Sequence, residues 1–489
     1  MISGFVKAIL AALACVACVH AADTLNYAKA LEVALRQSPE VVQARLTLEQ
    51  SQEVYRAVVA GQQLSAALSL TPIGYSNDLQ LNNTYNSWNT NRNTQSSADL
   101  KLSQPVWLTG GTFSVDGNLG WNDLFTSLFN RESRSFDYHS TIGYSQPILL
   151  YNQLRMTLSQ LRLTLENNQI IYAMKILSME HDIAGDFYGL YQDQVNFEIA
   201  KQQLRDDQQS YDITKNKVIL GLSPQSDLYQ AEINLAQSQS SLQNNEVTWE
   251  NAAEAFKQRL AINLDTVLII AVDTATGAAA IDVNKAVANG LQARMELRQA
   301  QITLDNSQFS LIQTRSSGFV SGSVNGSIGL SGNSTEFQRL FQNPAKSQAL
   351  SISLVLPLWD FGANRANVKA SEIGLRQSRL SLDQEKTTVI LSIRKEYRTI
   401  SNLRSQIAIA RKSAQNAQFT YDLNLQKYRT GAMSALDLNQ YEIQLTQAKS
   451  ALANAIVSYK IEMLNMKVLS LWDFENDKPV VPDLSTIKE

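Results

Sequence analysis

Two stretches of the chain, KYRTGAMSALD at residues 427–437 and KVILGLSPQSD at residues 217–227, share a lysine, a glycine and an aspartate in register. They lie 210 positions apart, and the same offset aligns residues far outside them. A second offset of 256 aligns segments nearer the N-terminus of each copy. Matched pairs include Pro147/Pro357, Arg155/Arg365, Tyr211/Tyr421, Lys29/Lys285 and Glu40/Glu296. The chain is therefore two copies of one unit.

The first copy is the longer one. The two offsets differ by 46, so about that many extra residues lie between residue 60 and residue 146. A repeat of this length is too long for an ordinary solenoid. It indicates a pseudo-symmetric body, and pseudo-symmetry suits a ring or a tube.

The composition favours long helices with one polar face. The 489 residues include only nine prolines, and none lies between Pro147 and Pro224 or between Pro357 and Pro479. Glutamine, serine, alanine, leucine and asparagine are plentiful. The net charge of −3 argues against a nucleic-acid partner, which would need a basic surface.

The N-terminus has the pattern of a signal peptide. Lys7 supplies the positive charge, residues 8–19 form an apolar core, and residues 19–21 (Val-His-Ala) fit a cleavage site. The two cysteines, Cys15 and Cys18, both lie in this segment, and lipidation at either one stays open. No later segment has eighteen uninterrupted apolar residues, so a membrane-inserted form of this exported protein would have to use strands.

Two very long helices are predicted at residues 152–220 and 362–430, because an apolar residue recurs every seven positions in both. Such a period winds helices into a left-handed coiled coil, and each helix would reach ~100 Å. Shorter helices are predicted at about 224–260, 434–470, 25–60 and 282–314. The heptad residues are Ile393, Ile400, Ile407, Ala414, Tyr421 and Tyr428 in the second copy, and Ile183, Leu190, Phe197, Leu204, Tyr211 and Val218 in the first.

Segments between the helices alternate apolar and polar residues, as outer-membrane strands do. The clearest has Leu350, Ile352 and Leu354 between serines, and an additional strand pair is expected within the longer first copy. Whether the strands near 98–122 join a barrel stays open. The alternative that the alternating segments form an ordinary half-buried antiparallel sheet also stays open. The Asn-rich segment 77–97 is predicted to be an exposed polar loop.

No residue pattern indicates catalysis. The three histidines show no metal-ligand spacing, and neither a phosphate-binding loop nor a serine elbow occurs, so the prediction is a non-enzyme without cofactor or metal. The two quoted turns are the candidate sites. Ser434 with Asp437 reads as a capping pair and Ser223 with Pro224 as a helix start, so any functional role there would be additional to a structural one.

The signal peptide, the duplicated strand–proline–helix unit and the turn Tyr-x-x-Gly-x-x-Ser-x-x-Asp-Leu resemble the TolC family of outer-membrane efflux proteins, over about residues 25–472. The resemblance implies a fold that is mainly α with a β-barrel portion. Long antiparallel coiled-coil helices would form a trimeric α-barrel across the periplasm. This would join a twelve-stranded outer-membrane β-barrel, to which each chain gives at least four strands.

The resemblance also implies site residues. Asp437 would project into a gate at the tip, with Asp227 and Tyr428 in the ties that close it. Met433 stands where an arginine often makes a gating link, and Arg429 is the candidate substitute. Residues expected to contact an adaptor protein are Gly221, Leu222, Ser223, Gly431, Ala432 and Met433. The expected strand-to-helix transitions are Pro147 and Pro357. Gln440 replaces a second constriction acid.

The prediction is thus a homotrimeric exit duct, embedded in outer-membrane lipid and working with a periplasmic adaptor and an inner-membrane efflux pump or ABC exporter. The alternative is a periplasmic coiled-coil scaffold without a pore. The predicted divisions are a signal peptide at 1–21, a first repeat at 22–262, a linker at 263–280, a second repeat at 281–472 and a C-terminal tail at 473–489.

Overall fold

The computed structural model describes residues 24–266, 268–272 and 280–480. The predicted signal peptide, both cysteines and the end of the predicted tail lie outside the described residues. The described chain is mainly helical and contains a large antiparallel sheet. Within these ranges no helix combines the length and the apolar character that spanning a bilayer requires.

The main helices come in pairs, one member from each repeat. They are α1 (Tyr27–Gln37), α2 (Pro39–Ala60), α3 (Gln153–Ile219), α4 (Gln225–Leu260), α5 (Val283–Ala293), α6 (Met295–Ser317), α7 (Ala363–Arg429) and α8 (Ala435–Ser470). The long helices α3 and α7 have 67 residues each, and α4 and α8 have 36 each. Because these pairs start at the offsets read from the sequence, the internal duplication is confirmed.

Two predicted helices are each divided in the structure. The segment expected as one helix at 25–60 breaks at Ser38, whose ψ of 129° is extended. The following residue is Pro39, and a residue before proline is disfavoured in the helical region. The segment expected at 282–314 breaks in the same place of the repeat, at Arg294, with ψ of 128°. The Arg294 guanidinium pairs with Glu296 in the first turn of the next helix.

The seven-residue apolar repeat forms a buried seam along α7. All six of its predicted members, from Ile393 to Tyr428, are buried. In α3 only Ile183 and Leu190 are buried, and the remaining four members are half-buried. The two copies therefore share a pattern but bury it to different depths.

A six-stranded antiparallel sheet lies between the helices in chain order. The spatial order of its strands is the same as their order in the chain. The strands are β1 (Ser65–Asn82), β2 (Ser87–Val106), β3 (Gly111–Thr126), β4 (Arg131–Ile148), β5 (Ser321–Ser334) and β6 (Ala345–Val355). The extra strand pair expected in the first copy is present. The prediction of a polar loop at 77–97 is wrong, because Asn82 pairs with Ser87 and Asn77 with Arg92 in a long hairpin. Backbone pairing with neighbouring strands outweighs the low strand preference of asparagine.

The sheet has one apolar and one polar face. An apolar row crosses four strands through Leu102, Val115, Ile142 and Ile328. Three residues away along each strand, and so on the opposite face, a polar row runs through Asp99, Asn118, His139 and Ser331. Asn118 Nδ2 donates to Asp99 Oδ1 across 2.5 Å. Successive residues of a strand point to opposite faces, so the alternation in sequence becomes a segregation in space.

A bulge keeps this segregation intact along β1. The apolar residues are even-numbered at Leu68 and Leu70 but odd-numbered at Tyr75 and Leu79. The register of β1 against β2 shifts between Thr71 and Gly74. A bulge inserts residues into one strand, and here it returns the odd-numbered side chains to the apolar face.

The chain folds into two compact units. One contains the sheet and comprises Leu48–Gln169 and Gln299–Asp383. The other comprises Met1–Thr47, Ile170–Arg298 and Gln384–Glu489, as far as these are described. This second unit holds three apolar clusters, centred on Phe187, on Ile393 and on Tyr428. Both units draw on both sequence repeats, and the repeat boundaries stay a prediction.

Candidate functional site

Both helix–helix turns are closed by the same backbone motif. In each turn the glycine N–H donates to the carbonyl three residues back, and the next N–H donates five residues back. These bonds measure 3.0 and 2.8 Å in the turn after α3, and 3.1 and 2.9 Å in the turn after α7. Gly221 and Gly431 have φ of +73° and +80°, which glycine adopts without the strain of a Cβ. The glycines end the long helices sharply.

The two aspartates of the turns bind the serines that precede their helices. Ser434 Oγ accepts from the Asp437 N–H at 3.2 Å and donates to Asp437 Oδ2 at 2.7 Å. Ser223 Oγ donates to Asp227 Oδ2 at 2.6 Å, while Pro224 at the helix start makes no side-chain cap. Asp437 is exposed and Asp227 is half-buried. Asp437 thus forms the predicted capping pair with Ser434, and Asp227 makes a similar contact with Ser223 at the start of α4.

Tyr428 joins the two long helices beside the turns. Its side chain is 2% exposed, and its hydroxyl forms a hydrogen bond with Thr214 Oγ1 on α3. The Lys217 ammonium of α3 donates to the Tyr428 carbonyl and lies 4.1 Å from the centre of its ring. A cation over an aromatic face is attracted by the ring. The Tyr428 hydroxyl also donates to the Ser210 carbonyl at 3.4 Å, so four interactions connect α3 to α7 at a single residue.

The charge of Lys217 is partly desolvated by this packing. Burial lowers the pKa of the Lys217 ammonium from its ordinary value, while the nearby Asp227 carboxylate opposes the shift. A cation in this position serves as a contact between helices, because its ammonium is shared between a carbonyl and a ring.

A cavity of about 890 Å³ lies between the turns. Its lining contains two acids, Asp227 and Asp437, and two bases, Lys217 and Arg429. Arg429 is exposed, whereas Met433 packs against the apolar cluster around Tyr428. Within the described ranges no group of histidine, cysteine, aspartate and glutamate side chains could hold a metal ion.

The surfaces of the two turns differ in character. In the first turn Ile219, Leu220 and Leu222 are each more than 70% exposed. The matching residues of the second turn are Arg429, Thr430 and Ala432. The first turn presents an apolar surface, formed by these three residues and called the apolar knuckle below, and the second turn does not.

The two predicted strand-to-helix positions lie close to strand ends. Pro147 is the penultimate residue of β4 and stands opposite Ser323, and Pro357 follows the end of β6 by two residues. Asn152 Oδ1 accepts from the Arg155 N–H at 2.9 Å at the start of α3. At the start of α7 the Asp360 carboxylate accepts hydrogen bonds from the Gly362 and Asn364 N–H groups, each of 2.8 Å. These bonds lower the pKa of Asp360.

A buried group of carboxyls lies further along the same helices. Glu442 of α8 is 3% exposed, and its Oε1 has no hydrogen-bond partner. Burial, followed by the charges of Asp207 and Asp206 on α3, raises the pKa of Glu442 to about 9. Burial also raises the pKa of Asp207 to about 6. Glu442 is therefore protonated at neutral pH.

The profile of the outer membrane efflux protein family matches residues 112–261 and 320–469, one match in each repeat. The chain belongs to the outer membrane efflux protein family. The predicted family and outer-membrane location are thereby confirmed, and the family is one of transport channels rather than enzymes.

Individual relatives are distant. The chain is 22% identical to Nodulation protein T of Rhizobium leguminosarum bv. viciae over 404 residues, 80% of each chain. It is 27% identical to Outer membrane protein TolC of Escherichia coli over 177 residues, which span 34% of TolC. The solved CmeC outer membrane channel of Campylobacter jejuni is similar in fold, with a TM-score of 0.69 and 17% identity over 94% of this chain and 88% of CmeC. The predicted fold class, mainly α with an antiparallel sheet and an internal duplication, is confirmed.

Sequence reasoning missed the partners of Tyr428. Lys217 matches Lys427 in the repeat, but a repeat match does not show that Lys217 contacts the other copy. No motif or repeat match in the sequence indicated that Thr214 contacts Tyr428. The repeat offset of 210 makes Glu442 the partner of Glu232, and the repeat does not show that Glu232 is exposed whereas Glu442 is buried.

Proposed function

We propose that three copies of this chain form an exit duct through the outer membrane, gated at the helix turns and docked there to a periplasmic adaptor. Membership of the outer membrane efflux protein family supports an export role. The trimer, the gate and the adaptor are parts of the proposal.

The observation that carries the duct is the two-faced sheet. Leu68, Ile328 and Leu350 on its apolar face are more than 60% exposed in the single chain. Asp99 and Lys101 lie on the opposite face, with Lys101 opposite Asp116 in the register. Outer-membrane strands alternate between lipid-facing apolar residues and lumen-facing polar residues in this way. A scaffold in the periplasm would leave the apolar face in water.

The gate is proposed at the contacts of Tyr428 with Thr214 and Lys217. Opening requires the long helices to separate near the turns, and these contacts connect α3 to α7 there. Three copies would bring three Asp437 carboxylates towards one axis. Like charges in proximity attract cations, so the constriction would favour cations over anions.

The adaptor site is proposed at the apolar knuckle. Exposed apolar groups on a water-facing turn are typical of protein–protein contact surfaces. Leu222 is 75% exposed and follows Gly221 directly, so it is displayed on a turn closed by two backbone hydrogen bonds.

The test is purification followed by planar-bilayer recording. The full-length protein should require detergent for extraction, have the mass of three chains by native mass spectrometry and form ion-conducting channels. A water-soluble monomer that forms no channels would overturn the duct and favour the periplasmic scaffold.

A further inference from the structure

The extra residues of the first repeat form one complete hairpin of the sheet. Adding 256 to Ser65, the start of β1, gives Ser321, the start of β5. Adding 210 to the bounds of β4 gives residues 341–358, which contain β6. β1 and β4 therefore have counterparts in the second repeat, and β2 with β3 has none. The insertion inferred from the two offsets is the β2–β3 hairpin.

This hairpin widens the sheet. In the second repeat β5 pairs directly with β6, with Gly326 opposite Leu350. In the first repeat the corresponding strands, β1 and β4, do not pair. β2 and β3 lie between them and are bonded to both, with Leu68 opposite Leu100 and Val115 opposite Ile142. An insertion that only lengthened a loop would have left β1 beside β4.

The hairpin also continues both faces of the sheet. Leu100 and Leu102 of β2 and Val115 and Leu119 of β3 lie on the apolar face. Asp99, Lys101, Asp116 and Asn118 lie on the polar face. A hairpin standing in water above a membrane has no need of an apolar face. The pattern indicates that β2 and β3 contact lipid on one side and water on the other.

The sheet is open at both sides within the described chain, with β1 and β6 as its edges. Unpaired backbone groups of an edge strand are unfavourable in hydrocarbon, so the edges must pair with another chain. Neighbouring strands alternate in direction throughout, and the number of strands is even. β6 of one copy is therefore antiparallel to β1 of the next copy, and a ring of identical copies closes without a parallel pair.

We propose that the partner at each sheet edge is a second copy of this chain, and that three copies close an eighteen-stranded barrel. The inference rests on the proposed trimer and adds the width of the barrel to it. Without the hairpin each chain would supply four strands and the barrel would have twelve. Barrel diameter grows roughly linearly with strand number, so the eighteen-stranded barrel is ~1.5 times wider. Barrels of sixteen to eighteen strands leave an aqueous channel, and this barrel admits bulky polar solutes from the cell exterior.

The first experiment removes the hairpin. Deleting residues 87–130 joins Asn86 to Arg131, so that β1 leads through its own turn into β4. Arg131 then takes the place of Ser87 opposite Asn82, and both Arg131 and Ser87 lie on the polar face. The in–out pattern of β4 is thus preserved.

Both proteins are reconstituted in planar bilayers, and polyethylene glycols of graded size are added on the extracellular side. We expect the largest polymer that enters the unmodified channel to have a radius ~1.5 times that for the deletion variant. Equal cut-offs in two conducting trimers would overturn the eighteen-stranded barrel and leave the duct standing. Absence of any channel from the unmodified protein would instead overturn the proposed duct.

A second measurement on the full-length chain does not depend on the folding of the deletion variant. The chain has no cysteine beyond Cys18, so single cysteines can be placed at Val115 on the apolar face and at Asp116 on the polar face. A fluorophore at Val115→Cys should be quenched by spin-labelled lipid, and Asp116→Cys should react with a water-soluble maleimide. If both positions react with the maleimide and neither is quenched, the hairpin lies outside the membrane and the proposal fails.

Discussion

The buried carboxyl of Glu442 predicts a pH-dependent stability that a single isosteric substitution should remove. Glu442 is 3% exposed, its Oε1 has no partner, and the acids nearest to it are Asp206 and Asp207 on α3. Tyr421 of α7 is buried beside the same acids, and its burial, followed by the charge of Asp206, raises its pKa as well. Glu442→Gln keeps the shape of the side chain and removes the ionisable group.

The magnitude follows from the two pKa values of Glu442. The folded value is about 9 and the ordinary value is 4.5. Because the folded value is raised, the unfolded chain releases the proton first, and stability is lost as the pH rises from about 4.5 to about 9. At pH 7 the loss is about 3 kcal/mol, since each pKa unit corresponds to 1.36 kcal/mol. Glu442→Gln should therefore stabilise the protein by about 3 kcal/mol at pH 7 and by less than ~1 kcal/mol at pH 5.

The assay is thermal unfolding of the detergent-purified protein at pH 5 and pH 7, at one scan rate. Glu442→Gln should raise the unfolding temperature at pH 7 far more than at pH 5. The matched control is Glu232→Gln, because Glu232 occupies the same repeat position and is exposed. An equal effect of Glu442→Gln at the two pH values would show that ionisation of Glu442 does not control stability.

Three further predictions concern the turns. Tyr428→Phe removes the hydroxyl that bonds Thr214, so we expect a higher mean open conductance in bilayers, at a stability loss of about 1 kcal/mol; the exposed Tyr229→Phe should change neither. Asp437→Asn removes one charge per copy and leaves a side chain that can still form a hydrogen bond with Ser434, so the cation-to-anion permeability ratio should fall. An unchanged ratio would limit Asp437 to its role at the helix start. Leu222→Ser should weaken binding of the cognate adaptor in a surface-immobilised assay by about 2 kcal/mol, roughly thirtyfold. Ala432→Ser, at the matching position of the second turn, should have little effect on binding. Equal effects of the two substitutions would exclude the apolar knuckle as the contact surface.

Sequence reasoning succeeded where the signal is local or periodic. The spacing of Ile393, Ile400 and Ile407 predicted the buried seam because a helix repeats its faces at short, regular intervals. Gly221 and Gly431 marked the helix ends because few other residues adopt positive φ there. The loop prediction for 77–97 is wrong because Asn and Ser residues are typical of loops, and only the pairing of β1 with β2 and of β2 with β3 makes most of the segment strand.

By itself the sequence determined the duplication, the lengths of the long helices, the alternation in the strands and the family. All of these follow from the spacing of apolar and polar residues within short segments or from comparison of one copy with the other. The tertiary structure decided which residues far apart in the sequence contact each other and which of two matched residues is buried. Tyr428 meets Thr214 from 214 positions away, and Glu442 is buried while its repeat partner Glu232 is exposed. The β2–β3 hairpin joins the sheet as its second and third strands. Contacts between distant segments depend on how whole elements pack, so two related local sequences can lie against different neighbours.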